Sequence, residues 1–201
     1  MGAKLTHPSF YKYISALEKL DCDAISDVIE IIAGCLNRGG AIFTAGNGGS
    51  YSIAQHFAAD LRGPIIEGKT HYREAEARRI VHLGSNLAEF TALCNDVGYN
   101  AAIKYLAMRE GVCKRDVLIL FSVSGTSPNM ANAINYCRLI KDCSIILISS
   151  PVKYPHAPIE QIQLETTEVG NDWYGVVEGV FSCIAHEIAN RVKERLNEKD
   201  S

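Results

Sequence analysis

Two groups of residues that could do acid–base or metal chemistry lie on segments with helical spacing. His56 and Asp60 are four residues apart, so on a helix they share one face. On the last predicted helix, Glu178, Ser182 and His186 follow one another at steps of four. Imidazole nitrogens and carboxylate oxygens bind divalent metals and also act as general acids and bases. An ordinary core or surface histidine has the same spacing, so the pattern alone leaves both interpretations open.

A glycine-rich turn precedes the helix that carries His56. The stretch "GNGGS" occupies residues 46–50. Its glycines permit close approach of the backbone, and the free N–H groups at a helix N-terminus attract anions. Position 51 is a tyrosine rather than the third glycine of a dinucleotide motif, and the stretch lacks the lysine of a nucleotide P-loop. By itself the turn indicates either an anion site or only a tight turn.

A second turn, "SVSGTSPN" at residues 122–129, follows the most apolar run of the chain. Four hydroxyl side chains crowd around its glycine, those of Ser122, Ser124, Thr126 and Ser127. We predict that Ser127 caps a helix whose first residue is Pro128. Capping does not account for the other hydroxyls, and the turn therefore predicts a cradle for a phosphate monoester.

The pattern of strands and helices predicts how these turns are positioned. Short runs rich in β-branched residues predict strands at 41–46, 78–84, 116–125, 144–150 and 159–166. Helical spacing predicts helices between them at 50–62, 86–94, 99–110 and 127–141. Strands that alternate with helices predict an α/β fold, a three-layer αβα sandwich around a parallel sheet. In such sheets the strand-to-helix turns gather at the carboxyl edge, where ligands bind.

Further helical segments flank this α/β core. Residues 8–37 predict two helices that are broken near residues 21–24, and residues 172–197 predict one long C-terminal helix. We expect residues 1–201 to form one domain around the α/β core at 41–166. The C-terminal helix carries a stripe of apolar residues formed by Val177, Val180, Phe181, Ile184 and Ile188.

Composition argues against several classes of partner. The formal net charge is -3, so the chain lacks the basic field on which nucleic-acid binding relies. No apolar run approaches the roughly 18 residues of a membrane span, and the start resembles no export signal. The seven cysteines include no CxxC pair, which indicates free thiols in a reducing compartment. We expect a cytoplasmic protein that binds neither nucleic acid nor membrane.

Taken together, the motifs resemble the sugar isomerase (SIS) domain superfamily, and most closely its sedoheptulose 7-phosphate (phosphoheptose) isomerases. The resemblance covers, in order, "GNGGS", "HFAAD", "CND", "SVSGTS" and a late helical histidine. It implies the SIS fold with a five-stranded parallel sheet and an aldose–ketose isomerisation of a phosphorylated sugar through an enediol. It also implies a homotetramer with active sites at subunit interfaces.

The resemblance also implies which residues bind the substrate. These are Asn47, Gly48, Gly49 and Ser50 in the glycine-rich turn, Asn95 and Asp96 in "CND", and Ser122, Ser124 and Ser127 in "SVSGTS", which is similar to the family's STSGNS phosphate clamp.

The helix "QHFAADL" is similar to the family's HFAEEL helix, which implies that His56 is a zinc ligand and that Asp60 is both a ligand and the catalytic base. Aligning the late histidine on His186 puts Glu178 where the family has a glutamine that binds zinc. The resemblance thus implies one zinc ion per subunit, held by His56, Asp60, Glu178 and His186, with Glu178 also near the substrate. We assign His186 as proton donor to the sugar oxygens if it is not a metal ligand. The chain departs from the family at two of these positions, since Asp60 replaces a glutamate and Glu178 a neutral amide.

Two alternatives to this function remain open. The two departures are compatible with an isomerase or epimerase of another sugar phosphate. A non-catalytic SIS protein that binds or senses a phosphosugar is the second alternative. The presence of both Asp60 and His186 favours an enzyme.

Overall fold

The computed structural model describes residues 10–62, 79–151, 160–164 and 173–197. Its helices are α1 (Phe10–Glu18), α2 (Cys22–Asn37), α3 (Gly49–Arg62), α4 (Leu87–Val97), α5 (Tyr99–Arg109), α6 (Pro128–Asn135) and α7 (Trp173–Asn197). Its strands are β1 (Ile42–Gly46), β2 (Ile80–His82), β3 (Val117–Ser122), β4 (Ser144–Ser149) and β5 (Glu160–Gln163). None of the helices in these ranges is both long and apolar enough to cross a membrane.

The strands form one parallel sheet in the order β2-β1-β3-β4-β5, which confirms the predicted α/β class. The register pairs Gly46 with Phe121 and Ser122 with Ser149. Strands β1 and β3 are therefore neighbours that end at the same level. This arrangement brings the glycine-rich turn and the hydroxyl-rich turn side by side at the carboxyl edge of the sheet.

Helices cover both faces of the sheet, so the three-layer sandwich is also confirmed. Alternate residues of β3 point to opposite faces, with Ile119 and Phe121 on one face and Leu118 and Leu120 on the other. The first face packs against buried residues of α2, α3 and α7, and the second against those of α5 and α6. Each face thus has its own apolar core.

The face of the sheet under α3 and α7 sets the position of these two helices. The ring of Phe121 lies 5.6 Å from that of Phe57 on α3 and 5.7 Å from that of Phe181 on α7, both in edge-on contacts. The predicted apolar stripe of α7 is buried as expected, with Phe181 and Ile188 fully covered. Aromatic contacts of this kind fix the relative rotation of two helices, and so decide which polar side chains face each other.

Several element boundaries differ from those predicted. The run predicted as a strand to residue 125 ends at Ser122, because Gly125 adopts φ 66 in a turn in which its N–H bonds to the Ser122 carbonyl at 3.0 Å. The helix predicted to continue to residue 141 ends at Asn135 and gives way to a π-helical turn, Tyr136–Ile140. The predicted break in the N-terminal helices is confirmed, since the Asp21 side chain caps α2.

Candidate active site

The glycine-rich turn places the start of α3 against α7. A Cβ at Gly49 would meet the carboxylate of Glu178, so the glycine lets this carboxylate lie directly against the start of α3. Glu178 accepts hydrogen bonds from the Ser50 backbone N–H at 2.9 Å and from the Ser50 hydroxyl at 3.1 Å. The positive end of the α3 dipole is thus already partnered by a carboxylate of the same chain.

Farther along the same two helices, His56, Asp60 and His186 form a cluster. His186 Nδ1 lies 3.0 Å from one oxygen of Asp60, and His56 Nε2 lies 3.6 Å from the other. The two imidazole rings are nearly perpendicular, with centroids 5.0 Å apart. Both histidine side chains are more than half exposed, whereas that of Asp60 is 26% exposed. The carboxylate therefore lies between two imidazoles that solvent can reach.

The donor set of this cluster fits a divalent metal. All three ligand atoms lie within 4.8 Å of one another. Tetrahedral zinc, with bonds of 2.0–2.2 Å, holds its ligand atoms about 3.4 Å apart, so two of the observed separations are already close to that value. A cleft of about 140 Å³ beside the cluster, which Ser52 and Ser182 also line, leaves room for a further ligand. Without a metal, the same contacts are partly exposed polar contacts that contribute little to stability.

The structure does not bring Glu178 together with this cluster. Helices α3 and α7 run side by side in the same direction, since Ser50 meets Glu178 near their N-terminal ends and Asp60 meets His186 farther along. Glu178 precedes His186 by two turns of α7, which is about 12 Å along the helix axis. The predicted role of Glu178 as a metal ligand stays a prediction, and the contacts it makes are with Ser50.

The hydroxyl-rich turn leads from β3 into α6. Ser122 is buried, whereas Ser124 and Ser127 are partly exposed. The Ser124 hydroxyl accepts a hydrogen bond from the Thr126 N–H at 3.3 Å, which holds the turn closed over its glycine. Ser127 occupies the N-cap position of α6 as predicted, but its side chain makes no capping hydrogen bond. Its hydroxyl and the first N–H groups of α6 together offer donors to an anion.

A network of three polar side chains links the two turns. Asn47 Nδ2 donates to Asn129 Oδ1 at 3.0 Å, and Asn129 Nδ2 donates back to Asn47 Oδ1 at 2.7 Å. Tyr99, the first residue of α5, also donates its hydroxyl to Asn47 Oδ1, at 2.7 Å. Sequence reasoning missed Asn129 and Tyr99. Asn129 directly follows Pro128 and resembles an ordinary first-turn residue, so only the folded chain shows its partner.

A pocket of about 300 Å³ opens beside Asn47. Its lining combines the backbone of the glycine-rich turn with the side chains of Asn47, Tyr51, Leu87, Phe90 and Tyr99. Pockets that mix aromatic walls with a few fixed polar groups are typical of small-molecule sites. A larger cavity of about 440 Å³ lies between α2 and α7, but its charged groups pair with one another, for example Arg195 with Glu30 at 2.6 Å.

The residues of "CND" lie apart from this pocket. Asn95 and Asp96 are exposed on the last turn of α4. The Asn95 amide donates to the Asp96 carboxylate at 3.2 Å, and neither residue lines the pocket beside Asn47. Their assignment as substrate contacts stays a prediction.

His82 is a buried polar residue for which the sequence suggested no partner. The Thr44 hydroxyl donates to the Ala54 carbonyl at 3.0 Å, so its oxygen accepts the Nδ1 proton of His82, which is also 3.0 Å away. Burial and the positive charge of Arg62 lower the pKa of His82 to about 4. The ring is therefore neutral at pH 7 and packs edge-on against Tyr51, a wall of the pocket.

The turns and the cluster occupy different parts of one chain. Ser50 lies in the first turn of α3, and Asp60 follows it by ten residues, which is about 15 Å along the helix. The structure thus brings Asn47 and the hydroxyl-rich turn together at the sheet edge, and brings His56, Asp60 and His186 together between α3 and α7.

Known proteins resemble this chain in both sequence and fold. Phosphoheptose isomerase 1 of Campylobacter jejuni is 36% identical over 114 residues, which are 57% of this chain and 58% of that protein. The matched segment therefore spans little more than half of that relative. The phosphoheptose isomerase of Rhodospirillum rubrum is 30% identical over 171 residues, covering 79% of this chain and 87% of the relative.

The fold similarity extends over nearly all of the chain. The solved structure of a phosphoheptose isomerase from Francisella tularensis superimposes with a TM-score of 0.75 at 19% identity, covering 92% of this chain and 93% of the other. At that identity the likeness shows the fold alone. The SIS domain family model matches residues 9–150, which carry both turns and the helix of His56 and Asp60. This chain belongs to the SIS domain family.

Proposed function

We propose that this protein is an aldose–ketose isomerase of phosphorylated sugars that interconverts sedoheptulose 7-phosphate and a heptose 7-phosphate through an enediol. The observation that carries the proposal is the His56–Asp60–His186 cluster, which presents a carboxylate and two imidazoles to a cleft. The names of the relatives at 36% and 30% identity support the same reaction class.

The proposed reaction needs one base and one acid. Asp60 removes a proton from the carbon next to the carbonyl, and the proton returns to the neighbouring carbon as the enediol collapses. Where it is not engaged as a metal ligand, His186, whose Nδ1 lies 3.0 Å from Asp60, moves protons to and from the sugar oxygens. The cleft leaves both groups open to a substrate.

A divalent metal, zinc in this proposal, would be held by His56, Asp60 and His186. A bound zinc ion would act as a Lewis acid that polarises the carbonyl and stabilises negative charge on the sugar oxygens. We assign Glu178 to the substrate side of the site, beside Ser50, because its carboxylate contacts that residue.

The substrate's phosphate is assigned to the hydroxyl-rich turn, which runs from Ser122 at the end of β3 through Ser124 to Ser127, the N-cap of α6. This turn fits an anion better than the glycine-rich turn does, because Glu178 already partners the start of α3. Asn47, Gly48 and Gly49 then contact the uncharged sugar through backbone and amide groups.

Ser124→Ala should raise KM for the phosphorylated sugar by about tenfold or more, because a hydrogen bond to a charged group contributes about 1.5 to 3 kcal/mol. Steady-state kinetics checks this, with Ser26→Ala as the matched control, since that serine lies on α2 and donates to the Cys22 carbonyl. An unchanged KM would remove the hydroxyl-rich turn from the substrate site.

We further propose a homotetramer whose sites are completed by a neighbouring subunit. Two features support this arrangement. The turns and the cluster are separated within one chain, and α1 exposes Phe10, Tyr11, Ile14 and Leu17. A mass of one 22.0 kDa chain by light scattering would contradict it.

Subunit mixing tests the shared site more sharply. If the base comes from one subunit and the phosphate turn from another, mixed oligomers of Asp60→Asn and Ser124→Ala chains contain some sites with both groups intact. Their kcat/KM should exceed the mean of the two parent proteins. A value equal to that mean would assign each site to a single chain.

The reaction itself is tested by following a panel of heptose, hexose and pentose phosphates by NMR with zinc-loaded protein. Conversion of a heptose phosphate supports the proposal, and conversion of a shorter sugar alone would indicate the first alternative, another sugar phosphate. Binding without conversion would indicate a non-catalytic phosphosugar sensor.

The cellular and structural setting of this enzyme is part of the same proposal. We place it in the cytoplasm, because all seven cysteines are free thiols. We also treat the chain as one domain, because α2, α3 and α7 share an apolar core with the sheet.

A further inference from the structure

We propose that Asn129 and Tyr99 are positioning residues that hold the Asn47 amide so that its one unused N–H faces the substrate. The inference rests on the proposed function, since it deepens the description of the same site. It assigns a role to two side chains that the family resemblance leaves without one.

The hydrogen-bonding capacity of Asn47 is almost filled by its two partners. Its carbonyl oxygen accepts from the Asn129 amide and from the Tyr99 hydroxyl, each at 2.7 Å. An amide oxygen has two lone pairs, so both are used. Its nitrogen donates one proton to Asn129 at 3.0 Å. A single N–H of the Asn47 side chain is left over.

These contacts also tie the orientation of the Asn47 amide to its two partners. Asn129 is 1% exposed and returns a hydrogen bond to Asn47, so the two amides form a reciprocal pair. Rotating the Asn47 amide alone by half a turn would set its NH₂ against the Asn129 NH₂, so the two amides can turn only together. With the Tyr99 hydroxyl donating to the Asn47 oxygen, the group that remains on Asn47 is an N–H.

This orientation decides what Asn47 recognises. Asn47 lines the pocket of about 300 Å³, and its remaining group is a neutral donor. A neutral donor is suited to a hydroxyl or carbonyl oxygen of a sugar, whereas the charged phosphate goes to the hydroxyl-rich turn. Because Asn129 lies in the first turn of α6, the same pair sets the distance between the sugar contact and that turn.

The same hydrogen bonds would be present if they only stabilised the packing of the two turns. The test must therefore show that Tyr99 affects the substrate through Asn47. Tyr99→Phe removes one hydrogen bond at a half-exposed position and leaves the ring in place. We expect KM to rise about two- to twelvefold, the range for one neutral hydrogen bond, with kcat unchanged. Tyr105→Phe on the same helix serves as the control and should leave KM unchanged.

A double-mutant cycle tests whether Tyr99 acts through Asn47. In an Asn47→Ala background, Tyr99→Phe should cause no further rise in KM, because the group it positions is gone. A rise as large as that in the wild-type background would overturn the inference.

A second readout is independent of activity. In ¹⁵N-labelled protein, the side-chain N–H signals of Asn47 are identified by their loss in Asn47→Ala. Their exchange with solvent should become about two- to twelvefold faster in Tyr99→Phe, since one of the bonds that immobilise the amide is lost. Exchange that does not respond to Tyr99→Phe would overturn the positioning role, even in a protein with full activity. If no sugar phosphate is converted by the wild type, the proposed function fails, and this exchange measurement still decides the inference.

Discussion

Replacing Asp60 with asparagine is expected to lower kcat by about 10²- to 10⁴-fold, the contribution of a positioned general base. Asparagine has nearly the shape of aspartate but cannot accept the proton from carbon. Asp60 lies near the end of α3 and its side chain is 26% exposed, so the fold should not depend on its charge. Steady-state kinetics together with thermal unfolding checks both statements.

Two further variants show whether the loss of kcat in Asp60→Asn comes from losing the base or only from losing a negative charge. Asp27→Asn on α2 is the matched control for removing one carboxylate charge, and it should retain full activity. Asp60→Glu keeps the carboxylate and introduces the residue of the related family, so it should retain substantial turnover. Wild-type kcat in folded Asp60→Asn would exclude Asp60 as the base.

The second large effect is expected at His186. Protein purified without chelator should contain about one zinc ion per chain, and His186→Ala should lose most of it, because two remaining ligands hold the metal poorly. His56→Ala should behave in the same way. Elemental analysis measures the metal directly, and turnover should fall with the zinc content.

Two variants on the same helix make the metal test specific. Glu187→Ala removes an exposed carboxylate that pairs with Arg191 at 2.9 Å, and it should leave the zinc content unchanged. Glu178→Ala should also keep its zinc, since this carboxylate contacts Ser50 rather than the cluster, but it should lose about 1 kcal/mol of stability as the partner of the α3 N-terminus. Full activity in protein shown to be metal-free would exclude the metal and leave Asp60 as a simple base.

The elements of the fold were accessible from the sequence because their signals are local. The strand at Val117–Ser122 is a continuous apolar run, and the helix at Gly49–Arg62 begins directly after a glycine-rich turn. Ends of elements were harder to place. The apolar residue Val123 extends the strand pattern, whereas the positive φ of Gly125 and its turn end the strand earlier.

The arrangement of the site could be predicted only in part from the sequence. The pairing of His56 with Asp60 follows from helical spacing alone. The contact of His186 with Asp60 depends on how α7 is rotated over the sheet, and here the family resemblance supplied what the spacing could not. Glu178 was expected beside the same residues because it lies on the same ridge of α7, but two helical turns separate it from His186.

The network around Asn47 shows why some of the site was missed altogether. Asn47 and Asn129 are separated by 82 positions, and each is unremarkable in its own stretch of sequence. Their contact follows from the order of the sheet, in which β1 and β3 are neighbours. A polar residue in the first turn of a helix is usually explained by local capping, so its long-range partner becomes visible only in the folded chain.

Isomerisation in D₂O is the measurement that tests the central claim most directly. Zinc-loaded protein is incubated with sedoheptulose 7-phosphate, and the products are followed by NMR. An enediol route predicts that an aldose phosphate appears and that solvent deuterium enters at the carbon next to the carbonyl, with both signals lost in Asp60→Asn. Folded, zinc-loaded protein that neither converts this sugar nor exchanges its carbon-bound hydrogen, and that does the same with hexose and pentose phosphates, would contradict the assignment of an isomerase.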